Sequence, residues 1–334
     1  MSCSSLNPRY WMHWDPTVPS CVDESSIATT HRLGDSSQFG DSALAELLSR
    51  YPRSDVRLSK MGRTFEHPNE LQLGECGALA GAELLDLIRT GRFCLKLLRI
   101  DTKRDALATL TRNLGQEVDE CLKASFEVGT ATLEISSPHA IHYLSVELTH
   151  QATWQIRGQR SIRLFADSDT IVNSNTKASI ASGQHPQPLY YEPEFEVGSQ
   201  AIEQSPGSLV SIPAWQPFLI KNSGDLSVVL TTRHQTQHTR RCVEIHRANA
   251  FLRRFVPVNP PHQTGSVSGW LKQRIGMRLP INPVADRPTT FAVTKDRIDH
   301  PEECTNRAAS VTATQAVNAP IQIQSPTLAA ETTR

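Results

Sequence analysis

Three imidazoles and one carboxylate fall within a dozen residues of this chain, at His139, His142, Glu147 and His150. Such donors hold a divalent metal when they converge on one point. Their spacing argues against convergence. On a regular strand, side chains alternate between the two faces. His142 and Glu147 lie an odd number of positions apart and so face opposite sides, whereas Ser145 and Glu147 share a face. His139 joins that face only if no bulge intervenes, and His150 is expected in or near a turn. His234 and His238 have the i, i+4 spacing of two ligands on one helix. They stand where a strand gives way to a helix, with no adjacent carboxylate, so capping and solvent exposure are the expected roles. There is no Gly-rich phosphate loop and no Gly-x-Ser-x-Gly elbow, and no base is placed by sequence to activate Ser145 as a nucleophile.

The elements that would carry these residues change period along the chain. Residues 1–38 are polar and rich in Ser, Thr and Pro, and read as a poorly ordered leader interrupted by the aromatic cluster at 10–14. Residues 39–124 read as an α/β preface. Asp41-Ser42 opens a helix with Leu44, Leu47 and Leu48 on one face, residues 53–60 alternate as a strand, 82–90 is a helix stopped at Gly91, 93–100 is a buried strand, and 101–122 is a longer helix. From Ser125 the period becomes two. Strands are expected at 126–128, 131–136, 142–148, 152–156, 160–165, 194–197, 201–203, 209–212, 217–221 and 226–233. Short strands between turns such as Arg157-Gly158-Gln159 and Ser205-Pro206-Gly207 imply a jelly roll over 125–236. The span 167–192 breaks the rhythm as a long insertion. Helical period returns over 237–279, with Cys242, Ile245, Ala248, Leu252 and Phe255 on one stripe, and 280–334 reads as a disordered tail. The fold class expected is mainly β with flanking helices: a double-stranded β-helix behind an α/β segment, followed by C-terminal helices.

Composition narrows the function. Lys plus Arg equals Asp plus Glu at 34 each, so the formal net charge is zero, and nothing electrostatic favours nucleic acid or an acidic membrane as the main partner. The seven cysteines are irregularly spaced and never form Cys-x-x-Cys, which supports neither a disulfide framework nor a zinc knuckle. Cys94, inside an apolar run, is expected to be a small core residue. No signal peptide is apparent, and no window approaches the roughly 20 apolar residues of a membrane span. A cytoplasmic location is expected.

Two segments resemble the JmjC-like branch of the cupin superfamily, which includes Fe(II)/2-oxoglutarate protein hydroxylases. Ser137-Pro138, Gln155-Ile156-Arg157-Gly158-Gln159-Arg160 and Leu164-Phe165 stand at the family's separations. So do Pro206-Gly207, Ile212-Pro213 and Pro217-Phe218-Leu219-Ile220-Lys221-Asn222. The resemblance covers about residues 41–278. It implies that the family's His-x-Asp falls on Ser145-Val146-Glu147 and its distal His on Phe218. A non-haem Fe(II) centre needs two imidazoles and a carboxylate on one face. Ser145, Glu147 and Phe218 supply one carboxylate, so these are degenerate metal positions and no metal and no catalytic residue is expected. Arg160 falls where the family pairs a cation with the distal carboxylate of 2-oxoglutarate, and could hold a small carboxylate.

The resemblance thus implies a cupin-like protein that binds without catalysing. Glu147 and Arg160 would form an internal ion pair or hold a small polar ligand, and a protein segment would lie at the barrel mouth. The alternative is an Fe(II)/2-oxoglutarate dioxygenase with relocated ligands, its cofactors then Fe(II) and 2-oxoglutarate. A weaker one is a nucleic-acid contact through the basic helix at 239–255. The oligomeric state is not legible.

Overall fold

The computed structural model describes residues 12–13, 26–122, 124–166, 169–184, 188–255, 267–279 and 289–293. In chain order, the first part carries β1 (Met12–His13), β2 (Ile27–His31), α1 (Asp41–Arg50), β3 (Val56–Lys60), β4 (Gln72–Glu75), α2 (Gly81–Thr90), β5 (Phe93–Leu98), α3 (Ala106–Leu122) and β6 (Ser125–Phe126). Then come β7 (Thr132–Ser136), β8 (Ile141–Ser145), β9 (His150–Arg157), β10 (Arg160–Leu164), α4 (Ser174–Ala181), β11 (Gln200–Gln204), β12 (Ser208–Ile212), β13 (Phe218–Asn222) and β14 (Ser227–Gln235). Helices α5 (Gln237–Leu252) and α6 (Val267–Gly276) and strand β15 (Thr289–Ala292) follow.

Strands β7 to β14 alternate between two sheets. One sheet pairs β12, β9, β14 and β7 in that order, and the other pairs β11, β10, β13 and β8, all antiparallel. First pairs with last, second with seventh, third with sixth and fourth with fifth. That nesting makes a double-stranded β-helix, and the expected jelly roll is present. The first sheet extends to eleven strands among the described residues: β5, β3, β4 and β15 add beyond β7, β2 and β1 add beyond β12, and β6 pairs with β14 off this path. The β9–β10 turn needs its glycine. Gly158 has φ +70°, and a Cβ there would sit 2.5 Å from the Leu226 carbonyl oxygen.

The two faces of the large sheet differ in chemistry. Leu95, Leu97, Leu133, Ile135, Trp154, Val228 and Leu230 pack with Leu44, Leu48, Leu84, Ile88 and Leu114 of α1–α3 in one apolar core. Each such side chain, fully buried, contributes roughly 1.5–3 kcal/mol relative to exposure. On this face a chain of polar bonds also ties α3 to the sheet. The Trp154 indole N–H donates to Thr232 Oγ1 at 3.3 Å, Thr232 lies 2.8 Å from His234 Nε2, and His234 Nδ1 lies 2.8 Å from Asp119 Oδ1. Indole N–H can only donate, so the Thr232 hydroxyl oxygen accepts it, and the two ring nitrogens of His234 link that hydroxyl to Asp119. Burial pushes the His234 pKa down, with Asp119 working in the opposite direction. The opposite face looks at the small sheet and carries Lys96, Glu134 and Gln155, with Glu134 opposite Lys96 on one side and Val229 on the other, and Val229 in turn opposite Gln155.

Several expectations need correction. The leader is ordered from Ile27, because β2 pairs antiparallel with β12. Within the aromatic cluster, only Met12 and His13 are described, as β1. The strand expected at 194–197 is a 3-10 turn, Pro193–Glu196, whose first residue lacks the N–H a ladder needs. The insertion at 167–192 contains α4, which packs on α5. Helix α3 starts at Ala106, since Asp101 is buried and its carboxylate receives the Gly129 and Ala131 N–H groups instead of opening a helix. Phe255 is 70% exposed and does not continue the buried stripe of α5. The expected tail contributes β15, parallel to β4, while most of 280–334 lies outside the described residues.

Candidate functional site: the interior of the barrel

The barrel interior is set by the register of β8 against β13. Ser145 lies directly opposite Phe218, and His142 directly opposite Ile220. Two residues, Tyr143 and Leu144, therefore stand against Leu219 alone, a one-residue bulge on β8. Opposed residues point to the same side of a sheet, and Phe218 and Ile220 pack inside with Ile162, Leu164, Val210 and Ile212. The bulge thus turns both Ser145 and His142 inward. The alternation argument that sent His142 outward fails because the strand is not regular. His150, expected in or near a turn, follows a bend at 148–149 and opens β9, fully buried opposite His234. His139 sits exposed in the turn before β8.

Where the resemblance puts iron, the side chains are already engaged. Phe218 is buried in the interior apolar cluster. The Ser145 hydroxyl donates to the Tyr143 carbonyl at 3.0 Å. Glu147 follows β8, its carbonyl accepting the Trp215 N–H at 2.8 Å, and its carboxylate receives Arg233 Nη2 of β14 at 3.2 Å. The expected pair between Glu147 and Arg160 does not form, because Arg160 opens β10 opposite Gln204 and Asn222. There Arg160 Nε donates to Gln204 Oε1 at 2.7 Å, and Gln204 Nε2 donates to the Thr153 carbonyl at 3.0 Å. Arg160 is only 2% exposed, and its Nη2 has no hydrogen-bond partner among the described residues. Burial pulls its pKa down to about 10, with Glu134 working in the opposite direction.

Glu134 is the charge that organises the rest of the interior. His142 Nε2 lies 2.9 Å from its Oε1 and Lys96 Nζ lies 3.3 Å from its Oε2. Burial alone would raise its pKa, but His142 and Lys96 outweigh burial and hold it well below the usual carboxylate range. Cys94, directly across from Ser136 on the neighbouring strand, brings its sulfur into the same compartment, and burial together with Glu134 pushes the thiol pKa up. As expected, Cys94 is a buried core residue, packed with Met61, Ile141 and Tyr143. Sequence reasoning missed Lys96 and Glu134. The signal was available: each is a charged residue in the middle of a strand otherwise buried on both faces.

The helical metal pair proposed for scrutiny, His234 and His238, does not exist as such. His234 ends β14, buried with a carboxylate beside it, and His238 on α5 approaches Cys242 Sγ at 3.5 Å. On α5, Arg247 Nε donates to the Ala181 carbonyl and Arg253 Nη1 to the Ser174 carbonyl, so two of the basic residues join α5 to α4.

No family model matches the chain, and no curated protein matches it. Solved structures are similar in fold. Escherichia coli YcfD aligns with a TM-score of 0.48 and 14% identity, over 79% of this chain and 66% of that one. YcfD, a ribosomal oxygenase from Escherichia coli, in complex with cobalt and 2-oxoglutarate, aligns with a TM-score of 0.43 and 12% identity, over 76% and 63%. The chain spans less than two thirds of the length of either. These neighbours have the JmjC-like cupin fold that the motifs resemble. The fold itself rests on the strand order. Among the described residues, no helix is long and apolar enough to cross a membrane.

Proposed function

We propose that this chain is a jelly-roll binding module that does not perform the Fe(II)/2-oxoglutarate chemistry of the oxygenases its motifs resemble. The observation that carries the reading is the packing of Phe218 inside the barrel, opposite Ser145, where that chemistry would require an imidazole. A phenyl ring and a hydroxyl bonded to a backbone carbonyl do not fit Fe(II), and Glu147 is held by Arg233. The residues at this corner therefore do not fit the metal, and no redox step is drawn through it. The binding role is supported by Arg160, a buried guanidinium with an unbonded nitrogen facing the barrel interior, which suits a small carboxylate. The partner proposed is a protein segment lying across the barrel mouth. The zero net charge and the use of Arg247 and Arg253 in helix packing weigh against nucleic acid.

The test uses the purified full chain with Fe(II), ascorbate and 2-oxoglutarate. The expected result is no succinate above the enzyme-free background and no stoichiometric iron. Iron at one equivalent with cosubstrate turnover would overturn the proposal. Binding of 2-oxoglutarate without metal, weakened at least tenfold by Arg160→Gln, would identify the carboxylate site.

A further inference from the structure

The cluster Cys94, Glu134 and His142 lies apart from the corner just described and is used by none of its chemistry. The three contribute one sulfur, one carboxylate oxygen and one imidazole nitrogen, all within 4.8 Å of one another. Cys94 is fully buried and Glu134 nearly so. Glu134 Oε1 and His142 Nε2 pair with each other at 2.9 Å, the contact that a bridging ion would replace. We propose that Cys94, Glu134 and His142 form a binding site for a thiophilic divalent cation of the zinc class, which clamps the small sheet to the large one.

The chemistry fits in four respects. A set of thiolate, imidazole and carboxylate selects zinc-like metals over magnesium or calcium. Zinc–ligand bonds of about 2.0–2.3 Å place tetrahedral donors roughly 3.2–3.8 Å apart, so the observed spacing needs side-chain shifts of only about 1 Å. The carboxylate is already divided: Oε1 faces the cluster while Oε2 is held by Lys96, the outer contact that orients a metal-bound carboxylate. Binding replaces the thiol proton of Cys94 and the proton between His142 Nε2 and Glu134 Oε1, both of which leave to solvent, so thiolate and carboxylate together balance the two charges of the ion. Nearby Lys96 and Arg160 weaken the attraction of any cation held by charge alone, and so favour a metal that forms a strong bond to sulfur. The site spans β5 and β7 of the large sheet and β8 of the small one, and the bulge on β8 is what delivers His142 to it. The proposal does not depend on the loss of iron chemistry at Ser145, Glu147 and Phe218.

Cobalt(II) is the probe, added anaerobically to metal-stripped full-length protein. The expected result is one equivalent bound with the sulfur-to-cobalt charge-transfer absorption and the visible bands of a tetrahedral site. Cys94→Ser should abolish the charge-transfer absorption, and His142→Gln should weaken binding at least tenfold. Phe218→Ala and Glu147→Gln should leave the spectrum unchanged. A wild-type protein with no cobalt–thiolate absorption overturns the site, as does absorption that survives both Cys94→Ser and His142→Gln, which would assign it to another thiol. Because His142 is at the sheet edge, its variant reports even if Cys94→Ser fails to fold. Turnover of 2-oxoglutarate by the wild type would sink the binding-module reading and leave this one standing.

Discussion

Ser145 and His142 both look into the barrel from β8, three residues apart, and their surroundings have little in common. Ser145 faces a phenyl ring in an apolar cluster, and the one charge near it, Glu147, is paired with Arg233 at the barrel's margin. His142 faces a buried carboxylate flanked by Lys96, Cys94 and Arg160. The first region has hydrocarbon where a metal centre of this fold class would have donors. The second has donors where sequence resemblance gave no reason to look. Apolar and polar surroundings lie three residues apart on β8, and a bulge of one residue is enough to give both positions an inward side chain.

The largest expected effect lies in the polar region. Glu134→Ala leaves Lys96 and Arg160 without their shared counter-charge, and removing one partner of a buried ion pair costs about 3–5 kcal/mol. Denaturant unfolding would measure it, and a loss under about 1 kcal/mol would show that the carboxylate does not organise the interior. In the apolar region, Phe218→Ala should cost about 3 kcal/mol through the cavity it leaves. The same change should leave the polar region's cobalt spectrum intact, so a coupled effect would break the contrast between the two.

A pH series sharpens the comparison from a third place. Burial pulls the pKa of His31 from 6.5 to about 4, and His234 is shifted in the same direction. Between those pH values the unfolded chain binds more protons than the folded one. Stability is therefore full above about pH 6.5 and falls as pH drops toward 4. Thermal unfolding of His31→Asn beside wild type should show a flatter acid limb; equal slopes would contradict the assignment. The smallest effect belongs to Glu147→Gln. Both partners of its ion pair are about a third exposed, so the loss should be about 1 kcal/mol or less and should shrink further with salt.

Much of the scaffold was legible in the residues. Period-two alternation and turns such as Arg157-Gly158-Gln159 announced the barrel, and Arg160 opens the strand expected at 160–165. The opposition of Ser145 and Phe218 followed from two motifs more than seventy residues apart. What was not legible depends on pairing between strands. The bulge at Tyr143-Leu144 exists because of the register against β13, and no period within β8 reveals it. His150 does lie next to a turn, but its pairing with His234 was not legible, and β2 was hidden in a polar leader because its partner, β12, lies far along the chain. Cys94, Lys96 and Glu134 were each visible alone; only the sheet that sets β5 beside β7 makes them one compartment.

The most direct test of the proposed reading compares Fe(II) binding by the wild type with that of a variant carrying Ser145→His, Glu147→Asp and Phe218→His. Anaerobic titration in the presence of 2-oxoglutarate reads the iron-to-cosubstrate charge-transfer band. The account predicts no band for the wild type and one equivalent of iron bound by the restored variant, because the scaffold is retained and only its donors are missing. A wild-type band of equal strength, or a folded triple variant that binds no iron, would contradict it.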